Sequence, residues 1–134
     1  MGERVLILAQ DLIWADRLVR SVTDAGAHPS RVGTDRALAA ALAERGAPAF
    51  VIVDLTAHAY DPLVAIATAR TAGAHILAVG QHDDVPQRKQ ALAAGAERVL
   101  AYRKLFEDGP GTISAWLTRA AVAVSAATAA ERTR

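Results

Sequence analysis

The sequence predicts an α/β domain: a doubly wound sheet of five parallel strands with five helices, packed in three layers. Three observations predict it. Unbroken apolar runs of four or five residues recur along the chain, as strands buried on both faces of a parallel sheet require. Segments with helical spacing separate the runs, and four of them stop at a glycine. A length of 134 residues with 52% hydrophobic content fits one domain over residues 1–134, with enough core to stand without covalent staples.

The elements follow in order. Val5-Leu6-Ile7-Leu8 is the first strand. Leu12 to Ala25 carries Leu12, Ala15, Leu18, Val19 and Val22 near helical spacing, and Gly26 ends it. Arg31-Val32, within Pro29 to Gly33, is a short second strand. Thr34 or Asp35 caps a helix from Arg36 to Arg45, stopped by Gly46. Phe50-Val51-Ile52-Val53 is the third strand. Asp61-Pro62 supplies a cap and an N1 proline for Leu63 to Thr71, and Gly73 follows. His75-Ile76-Leu77-Ala78-Val79 is the fourth strand. Asp83 or Asp84, with Pro86, opens a helix from Gln87 to Ala94, ended by Gly95. Arg98 to Tyr102 is the fifth strand. Thr112 to about Arg132 is the last helix, with Ile113, Trp116, Leu117, Ala120 and Val124 as its apolar side. Its later alanines predict a tail or linker running past the body of the domain.

Composition excludes several classes of function. Cysteine is absent, so there is no disulfide framework, thiol nucleophile or thiolate metal site. Fifteen basic and 14 acidic residues leave a formal charge of +1, which gives no reason to expect a nucleic-acid surface. The basic residues are thirteen Arg and two Lys, and about a quarter of the chain is Ala, a composition that points to a GC-rich bacterial genome. No apolar run is long enough to span a bilayer and no signal-peptide pattern opens the chain, so a cytoplasmic protein with no membrane partner is expected. Neither GxGxxG nor GxxxxGK[ST] occurs, and the serines, at 21, 30, 114 and 125, avoid the strand ends. No catalytic residue and no enzyme activity are expected.

Ligand chemistry in a doubly wound sheet sits at the carboxyl ends of the strands. Those ends are Ala9-Gln10-Asp11, Asp54-Leu55-Thr56, Gly80-Gln81-His82 and Tyr102-Arg103-Lys104. Asp54 directly follows the most apolar run, where a carboxylate needs a partner or an exposed rim. It is read either as a site residue or as an aspartate that starts a loop. His82-Asp83-Asp84 invites a metal reading, but paired aspartates before Pro86 suit a helix start. His58 lies in the loop after Asp54, near the rim, while His28 and His75 border strands. Arg98, Arg103 and Lys104 form a small basic group without interleaved aromatics.

From Val5 to Leu117 the pattern resembles the receiver domain of bacterial response regulators, a flavodoxin-like fold. The resemblance rests on Asp54, on Asp61-Pro62 seven residues later, on Ile76-Leu77-Ala78-Val79, and on Ala94-Gly95-Ala96 before the last strand. It implies that Asp54 stands where receivers accept a phosphoryl group. It also implies an acidic pair for Mg²⁺ at the end of the first strand, a Ser or Thr at the end of the fourth, and a Lys followed by Pro at the end of the fifth. Here Ala9 and Gln10 take the acidic slots, Gly80 the hydroxyl slot, Tyr102 the lysine slot and Arg103 the proline slot. Val99 takes the slot of the aromatic switch. Asp11 and Lys104 lie one and two residues away from the positions that need them.

Phosphoryl transfer depends on a metal and cations around the phosphoryl oxygens. Without them the resemblance implies a degenerate receiver, or pseudo-receiver, that acts by protein contact, with Asp54 a vestigial phosphoacceptor. One alternative is a phosphorylatable receiver using Asp54 with Asp11 and Lys104, and Mg²⁺ enters as a cofactor only there. Another is a small-molecule-binding module built on the strand-end crevice. The expected partner is another signalling protein or an output domain. A homodimer through the fourth helix, fifth strand and fifth helix is also implied, with Trp116, Arg119 and Ala123 as interface candidates.

Overall fold

A computed structural model describes residues 2–81 and 83–132, with side chains through residue 120. The order is β1 (Arg4–Leu8), α1 (Leu12–Asp24), β2 (His28–Val32), α2 (Asp35–Ala43), β3 (Phe50–Asp54), α3 (Pro62–Thr71), β4 (His75–Gly80), α4 (Val85–Ala94), β5 (Arg98–Ala101) and α5 (Tyr102–Arg132). The strands form one parallel sheet in the order β2-β1-β3-β4-β5. The expected doubly wound sheet with five helices is therefore the observed fold.

The strand period of two sorts the core into two layers. Val5, Ile7, Phe50, Ile52, Leu77 and Val79 face α1 and α5, where Leu18, Val22, Ile113 and Trp116 meet them. Leu6, Leu8, Val51, Val53, Ile76 and Ala78 face the other helices, where Leu38, Ile66 and Ala91 meet them. Both faces of β1, β3 and β4 are covered, which explains their unbroken apolar runs. The same alternation turns Asp54 toward α1 and α5 and Leu55 toward the opposite layer.

Capping chemistry sets the helix starts. Asp11, Thr34, Asp61 and Asp84 each accept first-turn amides from α1, α2, α3 and α4. The second strand is longer than its Arg31-Val32 nucleus. It begins at His28 and tolerates Pro29 because β2 is a sheet edge.

The last helix is the main correction. It begins at Tyr102 and not Thr112, so β5 ends at Ala101. The helical stretch breaks at Asp108, where φ is −156° and ψ 73°. Asp108 restarts it as a cap: its Oδ1 accepts the Gly111 amide and its carbonyl the Thr112 hydroxyl. Pro110 falls in the new first turn, where a missing N–H is harmless. Gly109 lies against α1 so closely that a Cβ there would collide with Ser21 Oγ.

Trp116 also corrects an expectation. It is buried at 1% exposure, edge-on to Phe50 and donating Nε1 to Glu97, so it belongs to the core and not to an open interface. Arg119 is exposed, and the side chain of Ala123 lies outside the described ones. No helix among the described residues is long and apolar enough to cross a membrane.

Candidate functional site

The carboxyl ends of β1, β3, β4 and β5 converge around Asp54, whose residue is fully buried. Its Oδ1 gathers three donors. The Thr56 amide lies at 2.9 Å and the Thr56 hydroxyl at 2.8 Å, and the Tyr102 hydroxyl completes the set. The Thr56 contacts form a local turn, the usual alternative that an Asp-x-Thr sequence offers the backbone. Its other oxygen, Oδ2, is buried without a hydrogen-bond partner.

Two phenols frame the carboxylate. Tyr60 donates to the carbonyls of Leu8 at 3.0 Å and Asp54 at 2.7 Å, tying β1 to β3 across their ends. Tyr102 stacks on Trp14 of α1 with centroids 3.8 Å apart. Burial raises the pKa of Tyr102 well above the usual phenol range, and the hydrogen bond to Asp54 raises it further. Burial, followed by the charge of Asp54, does the same to Tyr60, and Arg31 opposes it. Both phenols therefore stay protonated at ordinary pH and donate hydrogen bonds.

The receiver-like slots are filled by other interactions. Gln10 turns its Oε1 to the amides of His58 at 2.7 Å and Ala59 at 3.0 Å, fastening the β3–α3 loop beside Asp54. Asp11 uses Oδ1 to cap the amides of Ile13 and Trp14. The Ala9 carbonyl accepts Arg31 Nε and Nη2, which places a cation on backbone at the end of β1. At Gly80 a Cβ would stand 3.2 Å from Leu55 Cδ1 and 3.3 Å from Gln87 Oε1, so these side chains fill the space a hydroxyl residue would use. Gln87 in turn donates Nε2 to the Leu55 carbonyl at 2.8 Å. Lys104 is exposed on α5 and is not among the partners of Asp54.

These donors do not fit Mg²⁺. That ion requires octahedral oxygen ligands with carboxylates among them. Asp54 Oδ2 is an orphaned oxygen beside it, but Ala9 offers no side-chain ligand, and Gln10 Oε1 and Asp11 Oδ1 are held by backbone amides. No group of three or more His, Asp or Glu is placed to hold a metal among the described residues. Asp84 caps α4, as paired aspartates before a proline predict, and His82 lies outside the described residues.

The structure thus brings the expected Gln10, Asp11 and Tyr102 to Asp54, with Ala9 at the end of β1, while Gly80 packs against Leu55 and Gln87 and Lys104 stays outside. Gln10, Asp11, Asp54, Thr56 and His58 border a cleft of about 350 Å³. Sequence reasoning missed Thr56, Tyr60, Trp14 and Arg31. The Asp-x-Thr spacing was the available signal for Thr56. Trp14 and Arg31 arrive from distant positions, Tyr60 closes back from six residues after Asp54, and no local pattern announces them.

No protein-family model matches the chain, and no curated protein matches it. Solved structures do. A response regulator protein from Burkholderia pseudomallei, with a phosphorylated aspartic acid, calcium ion and citrate, is 26% identical with a TM-score of 0.71, over 97% of this chain and 75% of that one. The receiver domain of a Francisella response regulator superposes with a TM-score of 0.72 at 13% identity, over 89% of this chain and 99% of that one. NtrX from Brucella abortus gives a TM-score of 0.84 at 15% identity over 98% of this chain, which spans 31% of that protein. The structural neighbours of this chain are response regulator receiver domains, and its fold is theirs.

Proposed function

We propose that this chain is a pseudo-receiver of the two-component signalling type, acting by protein contact and without Mg²⁺-dependent phosphorylation of Asp54. One observation carries the reading: Tyr102, a neutral phenol, holds Asp54 Oδ1 at the position where a receiver presents a lysine. A cation there would draw a phosphoryl group in, whereas a phenol satisfies the carboxylate already present. The amide-bound Gln10 and the filled space at Gly80 support it from two other sides. The fold of the neighbours supports a signalling role, and the attachment of a receiver-like segment within the longer NtrX supports an output domain or a second signalling protein as partner. A cytoplasmic location and no catalytic turnover belong to this reading. Arg119, exposed on α5, is the residue offered to the partner on the α4, β5 and α5 face.

The test is amide NMR of the chain with Mg²⁺ and beryllofluoride or acetyl phosphate. The expected result is no saturable shift around Asp54. Saturable shifts that vanish in Asp54→Asn would overturn the reading in favour of a phosphorylated receiver.

A further inference from the structure

Two openings in the molecule differ in what lines them. The larger is a groove of about 620 Å³ between α1 and the first turns of α5, bordered by Leu12, Ile13, Trp14, Leu105 and Phe106. No buried side-chain N or O atom there lacks a partner among the described residues. The smaller is the strand-end cleft of about 350 Å³, lined by Gln10, Asp11, Asp54, Thr56, Ala57 and His58. Asp54 lies at its floor, fully buried, beneath the exposed Gln10, Asp11 and His58. Its Oδ2 is a buried oxygen without a hydrogen-bond partner, and the only such side-chain atom among the described residues. A buried acceptor left unbonded is costly, and here it borders a cleft through which a donor from outside the chain can reach it.

The lining states the chemistry of that donor. It holds two carboxylates, the Gln10 amide, the Thr56 hydroxyl and the His58 imidazole, with no Lys or Arg among the lining residues. A donor that carries a positive charge makes the stronger bond to a carboxylate oxygen. Each carboxylate also has one oxygen already engaged. Asp54 Oδ1 holds the Thr56 amide and hydroxyl and the Tyr102 hydroxyl, and Asp11 Oδ1 holds the amides of Ile13 and Trp14. That leaves Oδ2 of each. A guanidinium is matched to both oxygens of one carboxylate, through two parallel bonds, and neither residue has both to give. An ammonium is a compact charge with three donors, which separate acceptors can share.

We infer that the strand-end cleft binds a small protonated primary amine, with the ammonium bonded to Asp54 Oδ2 and Asp11 adding the second negative charge at the rim. The rim includes the loop between β3 and α3, fastened where the His58 and Ala59 amides meet Gln10, and a small outward shift of that loop uncovers Oδ2. A cleft of this volume, at the low end of small-molecule sites, suits a free amine better than a folded segment of another protein. The inference rests on the reading that Mg²⁺ is not taken beside Asp54. It leaves the α4, β5 and α5 face free for a partner protein.

Amide NMR of the full chain tests it, with ethylamine hydrochloride titrated against sodium chloride at matched ionic strength. The expected result is saturable shifts at Asp54, Thr56, Ala57 and His58 that sodium does not produce. Asp54→Asn should weaken the apparent affinity by about tenfold or more. Asp11→Asn should weaken it by about threefold, since Asp11 is exposed. Asparagine keeps the oxygen that caps α1, so circular dichroism of Asp11→Asn should match the parent, and this variant carries the test should Asp54→Asn fail to fold. Methylguanidinium should bind more weakly than ethylamine, and equal binding would overturn the single-oxygen geometry. Nα-acetyl-lysinamide separates the sources of an ammonium: weaker binding than ethylamine supports a free amine, and equal binding would overturn that restriction in favour of a lysine side chain. Shifts no larger than those with sodium, or shifts that survive both substitutions, would overturn the inference. Mg²⁺ with beryllofluoride keeps the two readings apart. A saturable response to it overturns the function proposed above, whereas no response to it and none to ethylamine overturns the amine site alone.

Discussion

The end of the sheet at Asp54 and the outer side of α1 treat their side chains in opposite ways. Around Asp54 the polar groups turn inward: Thr56, Tyr60 and Tyr102 bond to it or its carbonyl, and Gln10 fastens the neighbouring loop. On α1, Leu12 and Ile13 face outward beside Phe106, and Arg17 rests on aromatic rings. In receivers that use phosphorylation, the strand ends must stay open to a donor and a metal. Here the carboxylate is bonded within its own chain beside a strand-end cleft of about 350 Å³, while apolar side chains stand exposed on the helix. The difference teaches that one fold can bond its polar groups among themselves at the strand ends while leaving apolar groups exposed on a helix face. Trp14 links the two regions, since it lines the groove and stacks on the phenol that bonds Asp54.

The largest expected effect tests which side of α5 belongs to the interior. Trp116→Ala should lower unfolding stability by about 3–5 kcal/mol, measured by urea titration, because it empties a fully packed aromatic site. An interface tryptophan would instead cost binding and leave the urea midpoint almost unchanged. That outcome would move the open surface from α1 to α5 and dissolve the comparison.

Much of this arrangement was legible in the sequence. Apolar runs marked β1, β3 and β4 because both their faces are covered. Asp61-Pro62, and Asp83 or Asp84 with Pro86, announced α3 and α4 because a cap and a fixed φ are local chemistry, and the structure picks Asp84 as the cap of α4. The start of α5 was not legible. Gly109-Pro110-Gly111 reads as a turn, and only the packing of Gly109 on Ser21 and the cap at Asp108 make it a kink between helical segments. The slots at Ala9, Gln10, Gly80 and Tyr102 could be counted from the strand ends, but their new occupations could not. The Tyr102 bond to Asp54 joins residues 48 positions apart, and the pairing of Gln10 with the His58 amide is set by the loop's path. Trp116 was misplaced because helical spacing gives a stripe without saying which neighbour covers it.

The second effect uses the alkaline limb of stability. Tyr60 and Tyr102 are the two tyrosines of the chain, and both have pKa values raised in the fold. A raised value means that the folded state keeps protons that the unfolded chain releases. Their contribution is therefore complete below the unfolded phenol value of ~10 and is lost as pH rises beyond it. Stability should fall by about 1.4 kcal/mol per tyrosine for each pH unit above ~10. Urea midpoints between neutral and strongly alkaline buffer measure it, and Tyr102→Phe should remove about half the slope. A slope unchanged in that variant would mean that the phenol beside Asp54 titrates freely, and its bond to the carboxylate would no longer count as held.

A third effect isolates the Tyr102 bond itself. Tyr102→Phe keeps the stack on Trp14 but leaves Asp54 Oδ1 with the Thr56 donors alone, and should destabilise by about 1–3 kcal/mol. In an Asp54→Ala background the same change should cost less, since no buried carboxylate then lacks its donor. Equal costs in the two backgrounds would show that the phenol contributes packing alone.

The smallest effect reaches the latch on the loop. Gln10→Ala removes the acceptor of the His58 and Ala59 amides, while Tyr60 still ties β1 to β3 through its own hydroxyl. A loss of about 1 kcal/mol is expected, because the freed amides lie near solvent and water can replace the side chain. Hydrogen exchange should accelerate at those two amides and scarcely elsewhere. Gln10→Glu is the sharper companion, since a carboxylate accepts the same two amides and so preserves their protection while adding a charge beside Asp54. If Gln10→Glu instead frees the loop and makes the chain respond to Mg²⁺, the glutamine is what keeps the ion out, and the strand end is one substitution from admitting it. If protection persists and Mg²⁺ has no effect, its exclusion rests on Tyr102 and on the filled space at Gly80, which a change at Gln10 leaves in place.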